Sequence, residues 1–260
     1  MKQITCKPTI KPRQTDTLIL LYRFRFLNRS QIQIMLGHKY HSRIGEWLNE
    51  LVILGYVNRD YDKKLTSSKA IYYLTSLGRK YLKERPNVQV ALLSRVWREK
   101  NYTDGFRERC ILLANIYTTL LTLATSTKAT LYFKTKVDLY GLEHLINPAP
   151  DAYIAICEGS GLIKRYFLEV FDDLPPKILR KRISQYLKYF DSDEWQGNTD
   201  KPFPKILIVC PSGRMKNHLY YYIQSKLREN SDLTFFLTTK DIIENQGFRK
   251  EALQKVKTES

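Results

Sequence analysis

Residues 42–59 read SRIGEWLNELVILGYVNR, and residues 69–82 read KAIYYLTSLGRKYL. In the first stretch, apolar side chains recur every three or four residues from Ile44 to Val52, which predicts a helix with one buried face. The helix should begin at residues 40–42 and end at Gly55. Residues 56–61 and 70–75 are rich in β-forming side chains, so a two-stranded hairpin should follow.

The flanking residues extend this pattern in both directions. Asp16 is expected to cap a helix at residues 17–24, and residues 31–36 form a second, short helix that ends at Gly37. The polar, basic residues 62–69 predict the hairpin tip, and residues 75–82 predict a closing helix. Together with RSQIQIMLG at residues 29–37, this layout resembles the winged helix-turn-helix superfamily. There the third helix enters the major groove and the hairpin tip touches the DNA backbone.

This resemblance implies a set of DNA contacts. Arg43 is the candidate for a paired contact with guanine, because a guanidinium offers two parallel donors. Lys39 and Ser42 are candidates for phosphate contacts near the start of the third helix. The remaining predicted DNA-binding residues are His41 on that helix and Lys63, Lys64 and Lys69 around the hairpin tip.

The distribution of charge agrees with a polyanionic partner. The chain of 260 residues has a formal net charge of +17. Residues 1–100 hold 20 Lys and Arg against 7 Asp and Glu, a net charge of +13, so the remaining residues carry only +4. Because phosphate neutralisation releases counterions, we expect double-stranded DNA to be the partner of the N-terminal part.

The rest of the chain predicts a second, mixed domain. A long helix begins at residue 106, with Cys110, Leu113, Ala114, Tyr117, Leu120 and Leu121 on its expected buried face. Strands are predicted at residues 130–135, 151–156 and 165–170. The last two form an antiparallel hairpin because Gly159 and Gly161 lie in the turn between them. A helix at 177–190, a strand at 205–210, a helix at 214–227 and a strand at 234–238 complete the order.

Two carboxylates on the predicted hairpin resemble the PD-(D/E)xK signature of the restriction-endonuclease-like fold. Pro150-Asp151 opens one strand, and Glu169 lies near the end of the next. The resemblance implies that Asp151 and Glu169 hold Mg²⁺, which orients water against a phosphodiester. Phe171 stands at the lysine position, so Lys177 and Lys181 of the following helix are the candidate basic groups. Glu108 is a candidate third metal ligand.

A winged helix followed by PDAYIAI, RYFLEVFDD and KILRKRISQYLKYF resembles the replication-relaxation family over roughly residues 14–240. The family implies a DNA-binding protein of a plasmid or other mobile element, acting in replication and relaxation of plasmid DNA. It further implies replication or conjugation proteins as partners, and a homodimer is compatible with it. The nuclease-like domain is either inactive or a Mg²⁺-dependent endonuclease. The alternative outside this family is a transcription regulator with a C-terminal dimerisation or sensing domain.

We therefore expect an α+β chain of two domains. The predicted segments are a winged helix at 14–85, a basic linker at 86–104, a nuclease-like α/β domain at 105–242 and a charged tail at 243–260, in which residues 249–260 are expected to fray. The longest apolar stretch, residues 111–124, is shorter than a membrane span, and the N-terminus has no signal-type segment. No cysteine pair has the spacing of a zinc ribbon, which indicates reduced thiols in the cytoplasm.

Overall fold

The computed structural model describes residues 9–61, 69–86, 88–99, 103–228, 232–248 and 250–258. Within these residues the chain is α+β, with ten α-helices, a three-stranded sheet and a six-stranded sheet. It divides into two compact units, Met1–Ala114 and Asn115–Ser260, named here the N-terminal unit and the C-terminal unit. The predicted fold class is confirmed, whereas the domain boundaries inferred from sequence stay predictions.

The N-terminal unit follows the predicted order of elements. Its elements are α1 (Pro12–Phe24), β1 (Leu27–Asn28), α2 (Arg29–Met35), α3 (His41–Ile53), β2 (Val57–Asp60), β3 (Ile71–Leu74), α4 (Ser76–Leu82) and α5 (Val90–Glu99). The three strands are antiparallel in the order β1-β3-β2. The predicted start of α1 at Asp16 is wrong, because Pro12 occupies the first helical turn, where its missing N–H costs nothing. Neither β1 nor α5 was predicted.

The close contact between α3, β2 and α4 explains why residues 42–59 and 69–82 determine this arrangement. Gly55 follows α3 with a φ of +75°, a conformation that favours glycine. The Thr75 hydroxyl donates to the Gly55 carbonyl at 2.6 Å and accepts from the Gly78 N–H at 3.1 Å, so it caps α4. A Cβ on Gly78 would lie 2.2 Å from the Tyr56 carbonyl oxygen, so only glycine permits this approach.

The C-terminal unit is built on a mixed sheet in the order β4-β5-β6-β7-β8-β9. The β5–β6 hairpin is antiparallel as predicted, and β6, β7 and β8 are parallel. The elements are α6 (Asp104–Thr127), which begins before the boundary between the units, then β4 (Thr130–Thr135), β5 (Ala152–Cys157), β6 (Ile163–Val170), α7 (Pro176–Asp191), α8 (Glu194–Thr199), β7 (Lys205–Cys210), α9 (Gly213–Gln224), β8 (Phe235–Thr239), α10 (Lys240–Gln246) and β9 (Gln254–Lys255).

One face of this sheet packs against α7 and α9. The main core of the unit joins inward-facing residues of the strands to apolar residues of these two helices; it includes Phe167, Ile206, Ile208, Phe235, Leu237, Leu179, Ile183, Tyr186, Leu219 and Ile223. These buried side chains supply most of the hydrophobic stabilisation of the unit. They also fix α7 directly beside the ends of β5 and β6.

Three sequence-based expectations need correction in this unit. Residues 250–258 of the predicted tail belong to the folded unit, because β9 pairs with β8 and Ala252 and Val256 are buried. The segment between α7 and β7, for which no helix was predicted, contains α8. Of the predicted buried face of α6, only Cys110, Ala114 and Leu120 are buried; Leu113, Tyr117 and Leu121 are half-buried.

Helix α6 is also longer than the apolar stretch in the sequence suggested. It spans 24 residues, and a segment of 18 of them has a mean hydropathy of 1.4, so by length and composition the helix could cross a membrane. It is the one helix in the described part of the chain that meets this criterion. Core helices of soluble proteins meet the criterion as well, so the observation is weak evidence for a membrane span.

Candidate nucleic-acid interface and buried acidic pair

A polar groove of about 640 Å³ lies between α3, the start of α2 and the β2–β3 hairpin. The face of α3 that lines it follows helical spacing, with His41, Gly45 and Asn49 one turn apart and Ser42 beside them. None of the described residues lining the groove is an aspartate or glutamate. The other lining residues are Asn28, Arg29, Ser30, Arg59, Tyr61, Lys69, Ala70 and Tyr72.

Arg59 is held in this groove by several partners. Its Nη1 donates to Oδ1 of Asn49 on α3 at 3.1 Å. Its guanidinium lies 5.3 Å from the centroid of the Tyr61 ring, and Arg59 lies opposite Tyr72 in the β2–β3 register. Burial raises the pKa of Tyr72, although the charges of Arg59 and Arg29 act in the opposite direction, so this hydroxyl stays protonated at neutral pH. The position of Arg59 is therefore defined before any ligand binds.

Arg29 reaches the same groove from the first residue of α2. Its guanidinium crosses α3 at Gly45, where an added Cβ would lie 3.1 Å from Arg29 Nη1. Arg29, Arg59 and Tyr72 line the same groove, and the positive charge of Arg29 acts to lower the pKa of Tyr72. Both arginines are exposed to solvent.

The predicted DNA contacts divide into three groups. His41, Ser42 and Lys69 line the groove. Arg43 does not line it; its Nη1 pairs with Glu46 Oε2 at 2.7 Å on the exposed surface. Lys39 lies over the Tyr40 ring, with Nζ 5.7 Å from the centroid. Lys63 and Lys64 lie outside the described residues. These positions do not by themselves test whether any of the residues binds DNA.

Sequence reasoning missed Arg29 and Arg59. A signal for Arg29 was present, because it opens the RSQIQIMLG stretch at the N-terminal end of a helix that precedes the third helix. Arg59 sits at an exposed position of β2, and nothing in the sequence indicates its bond to Asn49 ten residues earlier.

In the C-terminal unit, Asp151 is buried just before β5. Extension of the β5–β6 register places it opposite Glu169, and its own N–H donates to the Leu168 carbonyl at 2.9 Å. Asp151 Oδ2 accepts the Val170 N–H at 2.8 Å. Asp151 Oδ1 lies 2.7 Å from Nζ of Lys136, a half-exposed residue that follows β4. Both carboxylate oxygens of Asp151 thus have protein donors.

Glu169 is buried on β6 and is bound from α7. Its Oε1 accepts from Arg182 Nε at 3.0 Å, from Arg182 Nη2 at 2.5 Å and from the Tyr186 hydroxyl at 2.6 Å. Burial is the largest single influence and acts to lower the pKa of Arg182, but the charge of Glu169, its hydrogen bond to Arg182 and the neighbouring Tyr186 and Asp151 together raise the pKa. Burial, and next the Glu169 charge, raise the pKa of Tyr186 well above its ordinary value. Both partners therefore keep their protons.

These residues do not fit a Mg²⁺ site of the kind that the fold resemblance implies. Protein cations already neutralise both carboxylates, and Phe171, at the lysine position, is buried in the apolar core. Lys177 and Lys181 are exposed on α7, and Glu108 is exposed on α6 within the N-terminal unit. Among the described residues, no group of three or more His, Cys, Asp or Glu side chains is arranged to hold a metal ion.

Comparison with known proteins gives one match. The model of the replication-relaxation family matches residues 18–206, which is more than half of the chain and includes both the polar groove and the acidic pair. No curated protein and no solved structure matches the chain.

Proposed function

The chain belongs to the replication-relaxation family, and we propose that it binds duplex DNA through the polar groove of its N-terminal unit. The family supports a role in the replication or relaxation of a plasmid or other mobile element. In this proposal the N-terminal unit is a winged helix-turn-helix, with α3 in the major groove and the β2–β3 hairpin against the backbone. The observation that carries the proposal is a groove lined with cations and hydrogen-bond donors and with no acidic side chain among its described residues.

The electrostatics of the N-terminal part support this assignment. Residues 1–100 carry a net charge of +13. Three of the cationic residues, Arg29, Arg59 and Lys69, line the groove beside α3. A cationic concave surface attracts the phosphate backbone, while hydrogen-bonding side chains such as Ser42 and Asn49 are suited to polar contacts with DNA. The salt sensitivity of binding should therefore be high.

Titration of the full-length protein with a fluorescent duplex at several salt concentrations tests the proposal. We expect the affinity to fall steeply with salt, and Lys69→Glu to weaken binding about tenfold or more, in line with the loss of a phosphate contact. Lys80→Glu is the matched control, because Lys80 is exposed on α4 and carries the same charge change outside the groove. Absence of duplex binding, or equal losses in both variants, would refute the groove as the binding surface.

For the C-terminal unit we propose a module that holds DNA or a replication or conjugation protein without cutting DNA. Support comes from the protein donors that engage both oxygens of Asp151 and Oε1 of Glu169, which compete with a catalytic Mg²⁺ for these ligands. Supercoiled plasmid incubated with the protein and Mg²⁺ or Mn²⁺ should stay supercoiled. Nicking that disappears in Asp151→Ala would show instead that the unit is an endonuclease.

A second candidate function is a transcription regulator that senses a small molecule. A specific observation favours it: an apolar cavity of about 760 Å³ lies in the C-terminal unit, on the sheet face that α6 covers. Its walls include Leu120, Ala124, Ile154 and Leu207, and its lining also contains lysines. A regulator would change transcription from a bound promoter without changing plasmid copy number. A replication-relaxation protein would change copy number or the relaxation of plasmid DNA.

A further inference from the structure

We propose that Arg29 and Arg59 form a clamp that binds one backbone phosphate of the duplex. In this proposal Gly45 of α3 leaves the space that the Arg29 side chain needs to reach the clamp. The inference rests on the proposed DNA binding and goes further, since it names the ligand group and the side chains that hold it. Neither arginine was among the contacts expected from the sequence.

The two guanidinium groups are positioned on consecutive turns of α3. Arg29 crosses the helix at Gly45, and Arg59 bonds to the side chain of Asn49, four residues later. Side chains four residues apart on a helix have Cβ atoms about 5–6 Å apart. Both arginines line the same groove on neighbouring turns of one helix face, and in this inference they contact the same phosphate from two sides.

Nothing in the described protein neutralises this pair. Neither Arg29 nor Arg59 forms an ion pair with a carboxylate among the residues that the structure describes. Two guanidinium groups held near one neutral tyrosine hydroxyl repel each other, and an anion between them removes this repulsion. A phosphate suits the position because guanidinium donors match its oxygens in paired geometry.

Gly45 has a specific role in this arrangement. A Cβ at residue 45 would lie 3.1 Å from Arg29 Nη1 and 3.8 Å from its Cδ, so Arg29 would have to move. The contact is with the end of a flexible side chain, and alanine favours helix more than glycine does. Gly45→Ala should therefore displace Arg29 without unfolding the unit.

The test uses the full-length protein with Arg29→Gln, Arg59→Gln, the double variant and Gly45→Ala, titrated with a mixed-sequence duplex over a range of salt concentrations. Arg13→Gln is the matched control, because Arg13 is an exposed arginine of α1 that pairs with Asp16 and does not line the groove. We expect each clamp variant to lose about tenfold or more in affinity, with a salt slope shallower by up to about 0.9 for one phosphate. The control should lose much less. Thermal unfolding of every variant verifies that the fold is retained.

Two further comparisons make the inference specific. Because both arginines hold one phosphate, the double variant should lose clearly less than the product of the two single losses. Gly45→Ala should weaken binding in the wild-type background and have no effect in the Arg29→Gln background.

The outcomes separate this inference from the proposed function. If the wild-type protein fails to bind duplex DNA, the proposed function is wrong. If it binds with a steep salt slope but the clamp variants behave like Arg13→Gln, DNA binding stands and the clamp is refuted. Independent, multiplicative losses, or a Gly45→Ala effect that persists without Arg29, would also overturn it.

Discussion

Arg182 donates two hydrogen bonds to a single oxygen of Glu169, from Nε at 3.0 Å and from Nη2 at 2.5 Å. Both side chains are buried, and Tyr186 donates to the same oxygen. The pair joins α7 to β6 at the residue for which the resemblance to the PD-(D/E)xK signature implies a metal ligand. In this chain the buried carboxylate is neutralised by a side chain of the protein itself.

The first prediction concerns the stability of this pair. Arg182→Met should lower the free energy of unfolding by about 3–5 kcal/mol, because it leaves the Glu169 charge buried without a counter-ion. The double variant Arg182→Met/Glu169→Leu should recover much of that loss, since no unpaired charge remains. Urea denaturation of the four proteins of this cycle measures both effects. A double variant as unstable as the sum of the single variants would contradict the interpretation.

The second prediction concerns divalent metal. Lys136 forms an ion pair with Asp151, and Arg182 forms one with Glu169. Mn²⁺ should therefore neither bind to these two carboxylates nor raise the unfolding temperature of the wild-type protein. Mn²⁺ binding is measured by electron paramagnetic resonance, and unfolding by differential scanning fluorimetry. Asp151→Asn/Glu169→Gln is the control, because it removes the acidic charge of the site. Stoichiometric Mn²⁺ binding that this control abolishes would contradict the prediction and support a metal site.

The third prediction concerns the close contact between Gly78 of α4 and the chain at the start of β2. Gly78→Ala should destabilise the N-terminal unit by about 1–3 kcal/mol or more, because the new Cβ would lie 2.2 Å from the Tyr56 carbonyl oxygen. Gly159→Ala is the control, since a Cβ there meets no atom within 4 Å. Chemical denaturation followed by circular dichroism compares the two variants. Equal stabilities would show that the approach of α4 to β2 relaxes without cost.

Local sequence patterns predicted most of the fold. The spacing of Ile44, Trp47, Leu48 and Leu51 predicted α3, and strand and turn propensities predicted the β5–β6 hairpin. They did not predict β1, because a two-residue strand has no periodicity and exists only through pairing with β3. They also missed β9, whose polar residues are held by β8 rather than by their own propensity.

The candidate sites were less predictable because side-chain partners depend on tertiary structure. Asp151 and Glu169 were identified, but the lysines chosen to accompany them are exposed, and their partners are Lys136 and Arg182. A signal for Arg182 existed in the sequence. It lies three residues after Leu179 and directly before Ile183, on the apolar face of α7, where a charge needs a buried partner.

The fourth prediction concerns the C-terminal residues. Val256 is buried, and its N–H donates to the Phe235 carbonyl at 3.0 Å, so it belongs to the core beside β8. Val256→Asp should destabilise the C-terminal unit by several kcal/mol, because it buries an unpaired charge. Lys257→Asp is the control, because residue 257 is exposed. Urea denaturation and limited proteolysis check the prediction, and two equally stable variants would show that residues 254–258 do not stabilise the unit.

The fifth prediction concerns alkaline pH and Cys210, the last residue of β7. Burial raises the pKa of this thiol from 9.0 to about 12. Below pH 9 the thiol is protonated in the folded and the unfolded protein, so its contribution to stability is fully present. Between pH 9 and 12 only the unfolded thiol ionises, which lowers stability by up to about 1.4 kcal/mol per pH unit. Cys210→Ala should therefore show a shallower loss of unfolding free energy over this range than the wild type, although it starts from a lower stability at pH 7 because it leaves a small cavity. Denaturation series at successive pH values measure the two slopes, and identical slopes would show that the Cys210 thiol ionises in the folded protein as easily as in the unfolded chain.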